Sequence, residues 1–158
     1  HRDLHSFPTR RSSDLQTHGG LPADILLLNC GLHDLKAIRE TGGHQVPIDE
    51  YESNLRRIVS LVENMKLRLV WVTTTPVDEE CHAVHKPFDR YRKDVDAYNA
   101  AALRVMTDAG ADICDLHRFT VNIGKGLLPD GVHFIESIQM RQAAFIAGFL
   151  CALDSQPR

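Results

Sequence analysis

The stretch LLPDGVHF, Leu127 to Phe134, sets Asp130 three residues ahead of His133, with Gly131 between them. Across one turn that spacing lets a carboxylate meet one imidazole nitrogen and leaves the other able to take a proton. A histidine so oriented is a general base for a hydroxyl nucleophile, while the carboxylate fixes its tautomer and stabilises the imidazolium. Gly131 eases the tight turn. The same spacing also has a plainer use, since an aspartate here can cap a helix beginning near Val132. A lone D-x-x-H is common, and only its structural context separates the two uses.

That context is a regular alternation of elements. From Pro22 onward, DILLLN is a short continuous apolar run, as a strand covered on both faces requires. Tyr51, Leu55, Ile58, Val62 and Met65 step by four and three, which makes one apolar helix face. LRLVWVTTTP follows as a second buried strand ended by Pro76, with Trp71 in its core. Tyr91, Val95, Tyr98, Ala102, Val105 and Ala109 form a second helix face, and Gly110 supplies its stop. ADICDL reads as a shorter third strand, and Ile135, Ile138, Phe145, Phe149 and Leu153 lie on the buried side of a last helix. The order predicts an α/β layered fold on a parallel sheet, with no internal repeat.

In such sheets chemistry collects beyond the carboxyl ends of the strands. The loops there are CGLHDLK after the first strand, TTTPVDEECHAVHKPFDR after the second, and Leu116 to His133 after the third. GLHDL and PDGVHF at opposite ends of the α/β region, with TTTPV and YNAAAL between them, resemble the SGNH (GDSL-type) hydrolase family. The resemblance covers roughly Pro22 to Leu153 and implies a three-layer α/β/α, flavodoxin-like domain from about residue 16 to 158. It makes His133 the general base and Asp130 its orienting carboxylate. It also implies hydrolysis of small acyl or acetyl esters of lipids or carbohydrates through an acyl-enzyme, with no metal or organic cofactor. Gly31 and Asp34 beside His33, and Thr75 in the second loop, become the candidate substrate contacts, with His117 and Arg118 at the same edge.

Two departures from the family pattern stand out. His33 occupies the place of the family's oxyanion asparagine. Imidazole can also donate an N–H, so the exchange is chemically workable, although a structural histidine tied to Asp34 would fit the same position. The nucleophile block, an apolar strand running into glycine-aspartate-serine, is not recognisable. RSSDLQ places Ser12 and Ser13 beside Asp14, but no apolar strand precedes them, and seventeen residues before Gly31 are too few for the expected crossover. Gly19 and Gly20 are a weak match to the second oxyanion block. The expectation is a domain whose N-terminal strands and serine are missing, and which is itself inactive. Loss of the first strand would leave DILLLN as an open edge prone to self-association.

The first fifteen residues, HRDLHSFPTRRSSDL, have no apolar period and lack the apolar centre of a signal peptide. They are similar to a translated sequencing-adapter string, and whether replaced or a native tail they are expected to stand outside the fold. The remainder bounds the function classes. A chain of 158 residues, 43% hydrophobic and with a formal net charge of -3, has the size of one domain and no nucleic-acid footprint. No apolar run is long enough to span a bilayer. Cys30, Cys81, Cys114 and Cys151 lie far apart, which reads as buried thiols and mildly favours a reducing compartment. Cys81, His82 and His85 fall short of the four ligands of a structural zinc site and read as a solvated lid. Two other readings remain open: a carbohydrate- or acyl-ligand-binding protein that keeps the fold without catalysis, and a flavodoxin-like phosphate binder using TTTPV.

Overall fold

The computed structural model describes residues 23–124 and 126–155. Among them lie three strands and five helices in the order β1 (Ile25–Leu28), α1 (Ile48–Asn64), β2 (Arg68–Val72), α2 (Glu79–His85), α3 (Arg92–Asp108), β3 (Asp112–Cys114), α4 (Leu116–Ile123) and α5 (Glu136–Asp154). The strands form one parallel sheet in the order β1-β2-β3, with Leu27 opposite Val70 and Trp71 opposite Ile113. Helices cover both faces of the sheet, so the architecture is the expected three-layer α/β/α, flavodoxin-like fold. Ser12, Ser13, Asp14, Gly19 and Gly20 lie outside the described residues.

β2 shows why its sequence is apolar without alternation. Leu69 and Trp71 enter the core shared with α1 and α3, while Val70 and Val72 enter the second core with Cys114, Leu116 and Leu153. Trp71 is fully buried. On the first face α1 contributes Tyr51, Leu55, Val59 and Val62, and its acidic first turn, Asp49 and Glu50, suits the positive end of the helix dipole. Val95, Tyr98, Ala102 and Val105 of α3 face it. α3 ends in a Schellman motif: Gly110 takes φ +68°, its N–H reaches Thr107 O, and the Ala111 N–H reaches Met106 O.

The second face differs from the sequence expectation in two respects. α4 stands where a loop had been expected, started by the Asp115 side chain accepting from Arg118 N–H. α2 likewise replaces part of the polar second loop, with Asp78 as its cap. α5 begins at Glu136 with Ile135 as its N-cap, where the apolar pattern starts, so Asp130 does not cap it. Along α5, Ile138 and Leu153 are buried and Phe145 and Phe149 half-buried, but Ile135 is 43% exposed. No helix among the described residues is long and apolar enough to cross a membrane.

Candidate active site

Three loops meet at the carboxyl edge of the sheet, and each is fixed from below. After β1, Tyr51 donates its hydroxyl to Cys30 O at 3.0 Å, and Thr74 donates to the same oxygen at 3.2 Å. Gly31 follows at φ +137°, and a Cβ there would lie 2.9 Å from Thr74 Oγ1 and 3.1 Å from the Tyr51 hydroxyl. Only glycine fits this approach. After β2, Asn99 of α3 grips the Thr74 backbone from both sides, its Oδ1 accepting the N–H and its Nδ2 donating to the carbonyl, each at 2.8 Å. The third loop, between α4 and α5, is closed by Ile135 N–H on Leu127 O and joined to the second by Asp78 N–H on Gly131 O.

On that third loop Asp130 and His133 meet. His133 Nδ1 lies 2.6 Å from Asp130 Oδ2, while Asp130 Oδ1 accepts the backbone N–H groups of His133 at 2.8 Å and Val132 at 3.1 Å. Both carboxylate oxygens are engaged. Burial alone would raise the Asp130 carboxyl, but the hydrogen bonds from the His133 ring, the His133 N–H and the Val132 N–H hold it well below the usual carboxylate range. Asp130 is therefore an anion at neutral pH, and its position makes Nδ1 the protonated nitrogen of His133. The carboxylate shapes an Asx-type turn ahead of α5 rather than capping that helix. His133 is 66% exposed at its side chain. Its ring therefore lies largely at the surface.

The other candidates are distributed as follows. His33 is exposed on the β1 loop, and burial of part of the ring, with Lys36 and Arg90 nearby, lowers its pKa against the opposing pull of Asp34. Gly31 is buried, so its contribution is the shape of the loop rather than a surface for substrate. Asp34 is half-buried, and its carbonyl holds Val46 N–H at 2.9 Å. Thr75 lines a separate groove of about 260 Å³ with Leu27, Asn29, Leu116 and Ile146. His117 Nδ1 donates to Thr74 O at 2.8 Å and so buttresses the second loop. A larger cleft of about 520 Å³ opens beside the Asp130–His133 turn, between Pro76 and Asp78 on one side and Val121, Leu128 and Phe134 on the other.

Three sequence readings change here. His82 is fully buried on the inner side of α2, not part of a solvated lid, because its ring closes the space above Phe88 and beside Arg90. Among the described residues no group of His, Cys, Asp or Glu is arranged to hold a metal. The four cysteines are free, but only Cys114 is buried and Cys151 is exposed. Thr73 and Thr74 spend their hydroxyls inside the fold, on Asp115 and the Cys30 carbonyl, so two of the three hydroxyls of TTTPV are turned away from a phosphate. Arg90 and His82 were not singled out in the sequence as site residues, although Asp78 followed by Glu79 and Glu80 was a legible helix start.

Fold and site together define a flavodoxin-like α/β/α domain carrying an aspartate-oriented histidine at the carboxyl edge of its sheet. Sequence comparison gives the same direction. The chain is 29% identical over 114 residues to the rat isoamyl acetate-hydrolyzing esterase 1 homolog and 30% identical over 114 residues to that of cattle, in each case over 65% of this chain. It spans about half the length of these relatives, 46% of each. Two solved structures share the fold: a lipase/acylhydrolase from Enterococcus faecalis (TM-score 0.62, 16% identity, 78% of this chain and 58% of that one), and the acetyl xylan esterase AlAXEase (TM-score 0.61, 16% identity, 79% and 66%). No family model matches the chain. These relatives and structural neighbours support an SGNH/GDSL-type hydrolase.

Proposed function

We propose that the described residues supply the base half of a carboxylic-ester hydrolase. His133 removes the proton of a serine hydroxyl as it attacks the acyl carbon, and Asp130 holds the imidazolium that results. The alkoxide leaves with a proton returned from His133, and water repeats the sequence on the acyl-enzyme. His33 donates an N–H to the oxyanion. The observation that carries this reading is the 2.6 Å Nδ1 to Oδ2 contact, with Oδ1 held by two backbone N–H groups. Small acyl or acetyl esters are the substrate class, in keeping with relatives named for hydrolysing isoamyl acetate.

The serine itself is proposed to come from outside the described residues. Ser53 and Ser60 lie on α1, Ser137 on α5 and Ser155 at its C-cap, and none follows a strand at the carboxyl edge. The experiment is fluorophosphonate labelling and p-nitrophenyl acetate turnover, run on this chain and on a version extended by the upstream sequence of a relative. The chain alone is expected to show neither above a His133→Ala control. The extended version is expected to show both, each lost when the serine after its first strand is replaced. Stoichiometric labelling of this chain at Ser12 or Ser13 would overturn the placement of the nucleophile, and an extended protein that is inactive although folded would overturn the ester-hydrolase reading.

A further inference from the structure

Arg90 lies between α2 and α3 and is 4% exposed. A guanidinium remains charged at any physiological pH, and burying it requires compensation. Among the described residues no carboxylate stands within ion-pair distance of it. Its partners are neutral acceptors. Nε donates to Leu32 O at 2.8 Å, Nη1 donates to His82 Nε2 at 3.1 Å, and the guanidinium carbon stands 5.0 Å from the centre of the Phe88 ring. An arginine holding one part-buried and one buried acceptor on different segments is a spacer of fixed length, because its planar fork loses little freedom in holding both.

What it spaces is the two halves of the site. Leu32 O belongs to the peptide whose other end is the N–H of His33, and that peptide is a rigid plane. Holding the carbonyl therefore sets the orientation from which the His33 side chain projects. At the other end, His82 lies directly against the catalytic turn: a Cβ on Gly131 would fall 2.5 Å from His82 N and 2.6 Å from His82 Cα. Gly131 sits between Asp130 and His133, and its carbonyl accepts the Asp78 N–H that begins the turn containing His82. Because Nε2 of His82 accepts from Arg90, its proton is on Nδ1, a fully buried atom with no hydrogen-bond partner among the described residues. An orphaned buried donor costs free energy. It is retained where the ring is needed as an acceptor on the other side.

We infer that Arg90 is a positioning residue, clamping the His33 loop through the Leu32 carbonyl to the Asp130–His133 turn through His82 and Gly131, and so fixing the separation of oxyanion donor and general base. The roles given to those two groups rest on the reading proposed above, whereas the clamp is a property of this chain and can be measured without turnover.

Long-range 1H–15N correlation of the histidine rings in the 15N-labelled chain reports the tautomer of each. In the parent chain His82 and His133 are both expected as the Nδ1–H form. Arg90→Gln and His82→Phe each cut the clamp at a different point. In both, the fraction of His133 in the Nε2–H form that free imidazole favours is expected to rise several-fold while unfolding stays cooperative. Arg90→Lys, which keeps the charge but not the fork, should behave like Arg90→Gln. An unchanged His133 tautomer in the folded variants would overturn the clamp, and so would full rescue by lysine, which would assign the effect to charge alone. If Arg90→Gln does not fold, His82→Phe, which keeps Arg90 and the ring volume, decides the matter. Inactivity of the extended protein with an intact clamp would count against the ester-hydrolase reading only.

Discussion

Asp130 shows how one side chain is committed to the site. Its folded pKa is held below the ordinary 3.8, chiefly by hydrogen bonds from His133 and Val132 that outweigh the effect of burial. A depressed carboxylate pKa contributes stability that is complete above the unfolded value and is lost as pH falls through the folded one. Stability of this chain should therefore decline as pH drops below about 4, and Asp130→Asn, which removes that contribution, should be less stable than the parent at neutral pH and converge with it as pH falls, flattening part of the acid limb. Urea titrations at a series of pH values check this; an unchanged acid limb in Asp130→Asn would show that the contacts carry no linkage. For His33 the expectation is kinetic. In a protein that carries the nucleophile, His33→Ala should lower kcat by roughly a hundredfold, the usual cost of losing an oxyanion donor, and His33→Asn should recover much of it. Equal rates for all three forms would make His33 a structural residue.

At the scale of elements, Gly131 is where the turn and α2 must touch. It holds φ +85° with the His82 and Asp78 backbones at 2.5–2.6 Å from a hypothetical Cβ. Gly131→Ala should cost about 2–4 kcal/mol, adding overpacking to the left-handed strain. Gly110 is the control: at φ +68° with nothing within 4 Å, its alanine should cost only the conformational part, about 1–2 kcal/mol. Denaturant midpoints compare the two, and equal losses would mean that the close approach at Gly131 relaxes freely. The comparison also marks how far sequence reading reaches. β1, β2, α1 and α3 were legible because their apolar spacing is dictated by burial on fixed faces. The Asp130–His133 contact was legible because it is local. α2 and α4 are short and polar on one side, so their Asp78 and Asp115 caps were the stronger signal, and the apolar period was too brief to read. Arg90 was not legible, since its contact with Leu32 joins residues 58 apart in the chain and no local pattern encodes it.

At the scale of the whole molecule, the described sheet has β1 as an edge, and that edge is apolar. Leu27 is 39% exposed, and beside it runs the groove lined by Leu28, Val72, Leu116 and Ile146. On α5, Ile135 and Met140 are exposed at 43% and 67%. A parallel edge strand offers a row of unpaired N–H and C=O groups, and an apolar edge without lysine, proline or a bulge invites another chain to add to it. β1 reads ILLL, with none of these protections. The isolated chain is therefore expected to associate at micromolar concentration. Light scattering should give a mass above that of one chain, and Leu27→Lys, which places a charge at the edge without touching the Leu26 and Leu28 side that packs on the core, should return it toward the monomer. Asp130 and His133 lie on a different loop, so the same substitution should leave the His133 tautomer unchanged. A monomeric parent chain that unfolds cooperatively would show that the edge is already covered. A chain that associates equally well with lysine at position 27 would place the contact elsewhere, with exposed Met140 of α5 the next face to substitute.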